Sequence, residues 1–188
     1  MPEDRFHPQS RSEWRTWLST QHARVNGLWV VIWRKGSGHE PLSYEDIVEE
    51  AVCFGWIDSK VRGLDETRTM RWVAPRKPGS GWSRSNKERI IRLQEADLMA
   101  TPGQAVIDAA IVDGSWNLLD NVENLVVPDD LGLALAAHPP AADEWESFPP
   151  SAKRAILSWI VHAKRPDTRA QRIEETARRA ATGERANE

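Results

Sequence analysis

Leu28-Trp29-Val30-Val31-Ile32-Trp33 is an unbroken run of β-branched and aromatic residues between two turn signals, Asn26-Gly27 and Lys35-Gly36-Ser37-Gly38. A short apolar run so bounded reads as a buried strand, and a buried strand needs other elements to cover it. The sequence on either side supplies them. Ser10-Arg11-Ser12-Glu13 has capping-box spacing, and Trp14, Trp17 and Leu18 follow at i, i+3 and i+4, which predicts a helix from about Ser10 to His22. Ser43 is placed to cap a second helix, with Glu45 and Asp46 in its first turn, Ile47, Val48, Ala51 and Val52 as its apolar stripe, and Gly55 as its stop. From Trp56 to Arg62 the pattern alternates, with Trp56, Asp58, Lys60 and Arg62 on one face. Thr67–Val73 is its expected hairpin partner across Gly63–Glu66. Trp14, Trp17, Trp29, Trp33 and Trp159 fall on regular apolar stripes and are assigned to core.

Beyond residue 80 only helical patterns remain. Ser85 and Glu88 frame a capping box, and Thr101-Pro102-Gly103-Gln104 combines an N-cap, Pro at the first helical position and Gln at the third. Pro128-Asp129-Asp130 opens a helix that Pro139-Pro140 ends, with Asp143-Glu144 as first-turn acids beyond it. After Pro149-Pro150, Ala152, Ala155, Ile156, Trp159, Ile160 and Ala163 recur at helical spacing, and Ala170, Ile173, Ala177 and Ala180 mark a last amphipathic helix. The chain is therefore expected to be α+β: an N-terminal α-β-α-β-β unit with a short antiparallel sheet over residues 1–95, then an all-helical unit over 96–188.

The 188 residues carry a net charge of only −3, but the charge is segregated. Lys60–Arg92 holds ten Lys/Arg against three acids, a surplus of seven; Asp113–Phe148 holds eight acids and no Lys/Arg; 149–181 holds eight Lys/Arg against three acids, a surplus of five. Either a basic surface meets an anionic partner, or basic and acidic segments meet within the fold. No run approaches the 18 or so apolar residues of a transmembrane helix. Met1–His7 has an acid pair and no apolar core of a secretory signal. Cys53 is the single cysteine, so no intramolecular disulfide forms, and a cytoplasmic location is expected.

Candidate chemistry concentrates between Gly55 and Asn86, where Trp56, Trp72 and Trp82 are interleaved with Arg71, Arg76 and Arg84. Arginine forks match carboxylate and phosphate geometry, and flat rings add apolar contact at low entropic cost. Asp58 reads either as a cross-strand ion-pair partner or as an acceptor or general base near those arginines. Pro78-Gly79-Ser80-Gly81 precedes the helix start at Ser83 and Ser85, where backbone N–H groups could hold an anion, although the glycine spacing fits neither a phosphate-binding loop nor a dinucleotide fingerprint. His7, His22, His39, His138 and His162 are scattered without metal-ligand spacing, and Cys53 sits beside an apolar helix stripe as a small buried hydrophobe. No metal, cofactor or catalytic residue is expected.

Glu50–Ser59, Trp72–Arg76 and Ser80–Asn86 resemble the YdeI/OmpD-associated, or bacteriocin-protection, family. So do Ala109 with Asp113–Trp116, Pro128–Leu131 with Leu133–Ala137, and Trp159–Ile173, so that the resemblance covers nearly the whole chain. The matching motif positions are Phe54, Gly55, Trp56, Asp58, Pro75, Arg76, Trp82, Ser83 and Asn86; the family's usual aromatic two residues before the Pro-Arg pair is here Val73, beside Trp72. The resemblance implies a bacterial protein associated with bacteriocin or envelope stress and brings no catalytic residues with it. Together these readings give a cytoplasmic stress-related binding protein with a Trp/Arg pocket for a small anionic ligand. Arg76 and Arg84, with Arg71 beside Asp58, hold the anion; Trp56 and Trp82 form walls; Ser83 and Asn86 orient it. The alternatives are an enzyme using Asp58 as acid or base on a small anionic substrate, and a protein or nucleic-acid interaction module using 60–92 and 149–181, nucleic acid ranking below the others. Membrane insertion is not expected.

Overall fold

The computed structural model describes residues 4–187; Met1–Glu3, which open the segment read as lacking a secretory core, lie outside the described residues. The chain forms two compact units. One comprises the residues up to Ser80 together with Ser85–Trp116; the other comprises Gly81–Arg84 and the chain from Asn117 onward.

In the first unit the elements are β1 (Arg5–Phe6), α1 (Arg11–Gln21), β2 (Leu28–Trp33), α2 (Tyr44–Cys53), β3 (Trp56–Gly63), β4 (Arg68–Pro75), α3 (Arg84–Glu95, apart from its first residue) and α4 (Thr101–Val112). The sheet order is β1-β2-β4-β3, antiparallel apart from the parallel β1–β2 pair. Thus α+β is the fold class, and β1 is the strand the sequence pattern did not disclose: two residues are too few to show an alternation. The helices lie on one face. Phe6 is in register with Val30, and its ring stacks on Trp17 at 5.6 Å and packs on Trp14 at 6.1 Å, which places α1 over the Leu28, Val30 and Ile32 side of β2. Trp14 is fully buried and donates its indole N–H to the Ile47 carbonyl at 3.1 Å, tying α1 to α2. Trp29, Val31 and Met70, on the opposite face, form a separate small core with Leu64 and Trp72.

Several local expectations are corrected. The alternation placing Asp58, Lys60 and Arg62 on one face is broken by a β-bulge: Asp58 pairs with Val73, but Val61 pairs with Arg71 and Arg62 with Met70. Asp58, opposite Val73, shares the helix-bearing face with Arg71, and one extra residue re-phases the strand beyond it, so that Arg62 lies on the other face with its guanidinium over the Trp29 ring at 5.9 Å. α3 starts at Arg84, inside which Ser85 is a first-turn residue rather than a cap. Ala100, not Thr101, is the N-cap of α4. Trp17, Trp33 and Trp159 are half-buried rather than core. Ser43 caps α2 as expected, with a full capping box to Asp46.

The second unit contains α5 (Asp120–Glu123), α6 (Asp129–Ala137), α7 (Ala141–Ser147), α8 (Pro150–Val161) and α9 (Pro166–Ala180). Its core is built on Leu131, Leu135, Trp145, Ile156, Ile160, Ile173, Ala177 and Ala180. Here acidic and basic segments meet: Arg169 grips Asp130 through two bonds of 2.8 and 2.9 Å, Lys153 reaches Glu146 at 2.9 Å, and Arg84 donates its backbone N–H to Glu123 at 3.3 Å. No helix among the described residues is long and apolar enough to cross a membrane.

Two features of the first unit make quantitative demands. A Cβ on Gly103 would come within 2.2 Å of the Cys53 carbonyl oxygen, so α4 can pass α2 only without a side chain there. Gly103→Ala should therefore lower stability by about 2 kcal/mol in urea unfolding, the overpacking cost outweighing the ~1 kcal/mol that Ala gains as a helix former. In the β3–β4 turn, Asp65 accepts the Arg68 side chain and the backbone N–H groups of Thr67 and Arg68, and the Arg68 guanidinium with those amides holds its carboxyl down at about 2. A depressed carboxyl contributes stability that is complete above its unfolded value of 3.8 and is lost as pH falls toward 2. Asp65→Asn should flatten the acid limb of unfolding midpoint against pH within that window and leave the neutral limb unchanged in slope.

Candidate functional site

The sheet face under α2 carries a linked set of charges. Arg71 of β4 donates from Nη1 to Asp58 of β3 at 2.6 Å, with only 19% and 13% of the two side chains exposed. Asp58 lies on the same side as Arg71 because it pairs with Val73, two residues along β4 from Arg71, ahead of the bulge. Arg71 also lies over the Tyr44 ring at 4.4 Å, a cation–π distance, and its Nε is buried without a hydrogen-bond partner. Tyr44 sits in the first turn of α2 because Ser43 caps that helix.

A second arginine approaches the same ring. Arg89 of α3 stands 5.5 Å from the Tyr44 centroid. Its Nε and Nη2 donate to the two Glu45 oxygens at 2.7 Å each, and its Nη1 donates to Asn86 Oδ1 at 3.1 Å. The two partners differ sharply in environment: the Arg89 side chain is 10% exposed, the Glu45 side chain 50%. The fork-to-carboxylate bond raises the Arg89 guanidinium and lowers the Glu45 carboxyl from their ordinary values. Beside this pair lies an open cavity of about 280 Å³ lined by Glu45, Glu49, Ser85, Glu88, Arg89 and Arg92. Residues 85, 88, 89 and 92 form one stripe of α3, and 45 and 49 one stripe of α2.

The other residues marked by sequence take different places. Trp56 is buried and donates its indole N–H to the His22 carbonyl at 3.0 Å. Arg76, in the first unit, is largely desolvated, which pushes its guanidinium down to about 10, and its Nη2 reaches the Ser80 carbonyl at 3.5 Å. Trp82, Ser83 and Arg84 belong to the second unit, where Trp82 is buried and Arg84 donates to Asn124 Oδ1 at 2.6 Å. Of the eight residues, the structure links Asp58 with Arg71 directly and brings in Asn86 through Arg89. Sequence reading did not mark Tyr44, Glu45 or Arg89 as functional. The capping box fixes the first two at the start of α2, and the polar i, i+3, i+4, i+7 stripe of α3, Ser85, Glu88, Arg89 and Arg92, is the signal for the third.

Cys53 is buried, and burial pushes its thiol up, away from nucleophilic reactivity. Nearby, Glu50 is 3% exposed and held by Arg11 Nε and Arg15 Nη1 at 2.6 Å each, an arrangement that clamps α1 onto α2. Among the described residues no group of three or more His, Cys, Asp or Glu is placed to hold a metal ion.

The Asp58–Arg71 pair is intermediate between exposed pairs, worth less than ~1 kcal/mol, and fully buried ones, whose breakage costs ~3 kcal/mol or more. A double-mutant cycle with Asp58→Asn and Arg71→Met, read by chemical denaturation, should return a coupling of about 2 kcal/mol.

Comparison with known proteins divides the chain. Residues 6–106 match a family described as a domain of unknown function (DUF8412), and residues 124–183 match the family described as bacteriocin-protection, YdeI or OmpD-associated. The Trp159–Ile173 segment falls within the second match, whereas the Trp/Arg motifs between Glu50 and Asn86 fall within the first. No curated protein and no solved structure matches the chain. With more than half of its length in the first match, the chain belongs to the DUF8412 family, and its residues 124–183 carry the bacteriocin-protection, YdeI or OmpD-associated sequence.

Proposed function

We propose that this protein, of bacteriocin-protection type in its C-terminal segment, acts in the cytoplasm as a binding protein for a small ligand bearing a carboxylate or phosphate, and that Arg89 receives that group. The observation that carries the reading is the mismatch in burial across the Arg89–Glu45 pair. A guanidinium that deep needs a permanent acceptor, because burying it unpaired is costly. The acceptor it has is half in water, on the rim of an open cavity, and can rotate away at little cost. A ligand carboxylate or phosphate presents the same two oxygens to the same fork, so Glu45 stands where a ligand's anionic group would stand. Tyr44, shared with Arg71, backs the Arg89 guanidinium at 5.5 Å, and Asn86 fixes the rotation of the fork through its 3.1 Å bond. In this reading Asp58 is a positioning group for Arg71 rather than an acid or base, since its carboxylate is already engaged at 2.6 Å.

The test is a thermal-shift titration with phosphate, citrate and acetate on the wild type, Arg89→Met and Glu45→Ala. An anion present at 100 times its Kd should stabilise the wild type by about 2.7 kcal/mol. Arg89→Met should abolish the response. Glu45→Ala should cost about 1 kcal/mol without ligand, discounted for the exposure of that side chain, and should recover on addition of the anion that binds. If Glu45→Ala is neither destabilised nor rescued, and no anion shifts the wild type, the pair is a surface bridge and the reading fails.

A further inference from the structure

Resting on the reading of Arg89 as the anion-receiving group, the lining of the cavity narrows the ligand class. Three carboxylates, Glu45, Glu49 and Glu88, face two guanidiniums, Arg89 and Arg92. Glu49 is occupied, accepting Arg11 Nη2 at 3.0 Å and lying 3.5 Å from Arg92. Glu45 is occupied by Arg89. Glu88 is exposed and makes no ion pair among the described residues. A ligand carrying only negative charge would displace Glu45 from Arg89, leave that carboxylate without its partner, and sit beside Glu88 as well. Like charges at this range repel, and the gain at the Arg89 fork would be largely offset.

We infer that the ligand is a small zwitterion, carrying an ammonium group beside its carboxylate, as a free amino acid or short peptide does. The carboxylate takes the Arg89 fork, and the ammonium takes Glu88 together with the displaced Glu45. The exchange then conserves ion pairs: one Arg–carboxylate contact is replaced by another, and two carboxylates gain a cation. Both stripes needed for this are present, since Glu88 and Arg89 lie side by side on α3 and Glu45 faces them from α2. The volume, about 280 Å³, lies just below the usual range of ligand cavities, which suits a ligand as small as a dipeptide.

The experiment compares dialanine with N-acetyl-dialanine, which keeps the carboxylate and lacks the ammonium, by calorimetric titration of the full chain. Dialanine should bind about tenfold tighter, the scale of one charge-assisted hydrogen bond. Glu88→Gln, an exposed substitution that leaves the fold intact, should erase that preference while retaining the response to Arg89→Met. If the two peptides bind equally and Glu88→Gln changes nothing, the zwitterion inference is overturned and the anion reading survives. If neither peptide binds, and phosphate, citrate and acetate are also silent, both are overturned.

Discussion

Much of the first unit depends on how one guanidinium is housed. Arg71 projects from a central strand into the space under α2, where water is largely excluded, and its charge must be answered there. Asp58 answers it from the neighbouring strand and the Tyr44 face answers it from the helix. Each is a modest interaction. Their combination fixes strand register, the height of α2 over the sheet, and the seat of the second arginine on the same ring. Replacing any one group would leave a desolvated charge or a ring without its cation, so the three positions are physically coupled even though they lie on three elements.

The same logic explains the segregated charge of the sequence. The basic stretch from Lys60 to Arg92 is answered in the first unit by acids of β3, the hairpin turn and α2: Asp58 for Arg71, Asp65 for Arg68, Glu45 for Arg89 and Glu49 for Arg92. The acidic middle segment and the basic end are answered within the second unit, as in Arg169 with Asp130 and Lys153 with Glu146. Part of each run that looks polyanion- or polycation-seeking in one dimension is thus paired internally in three.

What could be read in advance followed from signals that are local in the chain. Ser43 with Asp46 announces α2, the Leu28–Trp33 run announces the central strand, and the Ile173, Ala177 and Ala180 stripe announces α9; each rests on residues within a few positions of one another. Asp58 and Arg71 both stand out in the sequence, but the placing of Arg62 on the other face depends on a bulge that has no composition signature: Ser59 and Lys60 are ordinary strand residues, and only the partner register shows that one of them is extra. The role of Arg89 is hidden in the sequence for a related reason. Its importance comes from burial by Tyr44 and Asn86, which lie 45 and three positions away, and an isolated charged stripe on a helix usually means a solvated face. Trp56 illustrates the opposite case, in which a residue rich in binding potential is consumed by the fold through its bond to His22.

The bulge has one more consequence. In a regular strand, the two faces are locked together, since any shift that retunes one face displaces every side chain on the other. Here β3 is cut into two short registers by a single supernumerary residue. Residues 56–58 serve the helix-covered side with Trp56 and Asp58, and residues 61–63 begin a new phase in which Arg62 serves the Trp29 side. Loss of one residue between them would restore plain alternation and keep both pairings, Asp58 opposite Val73 and Arg62 opposite Met70, whereas closing the bulge with every residue in place would carry Arg62 to the face now reserved for Arg71. The spare residue therefore sets the phase between the two ends of β3: it lets Asp58 and Arg62, four positions apart, face opposite sides of the sheet.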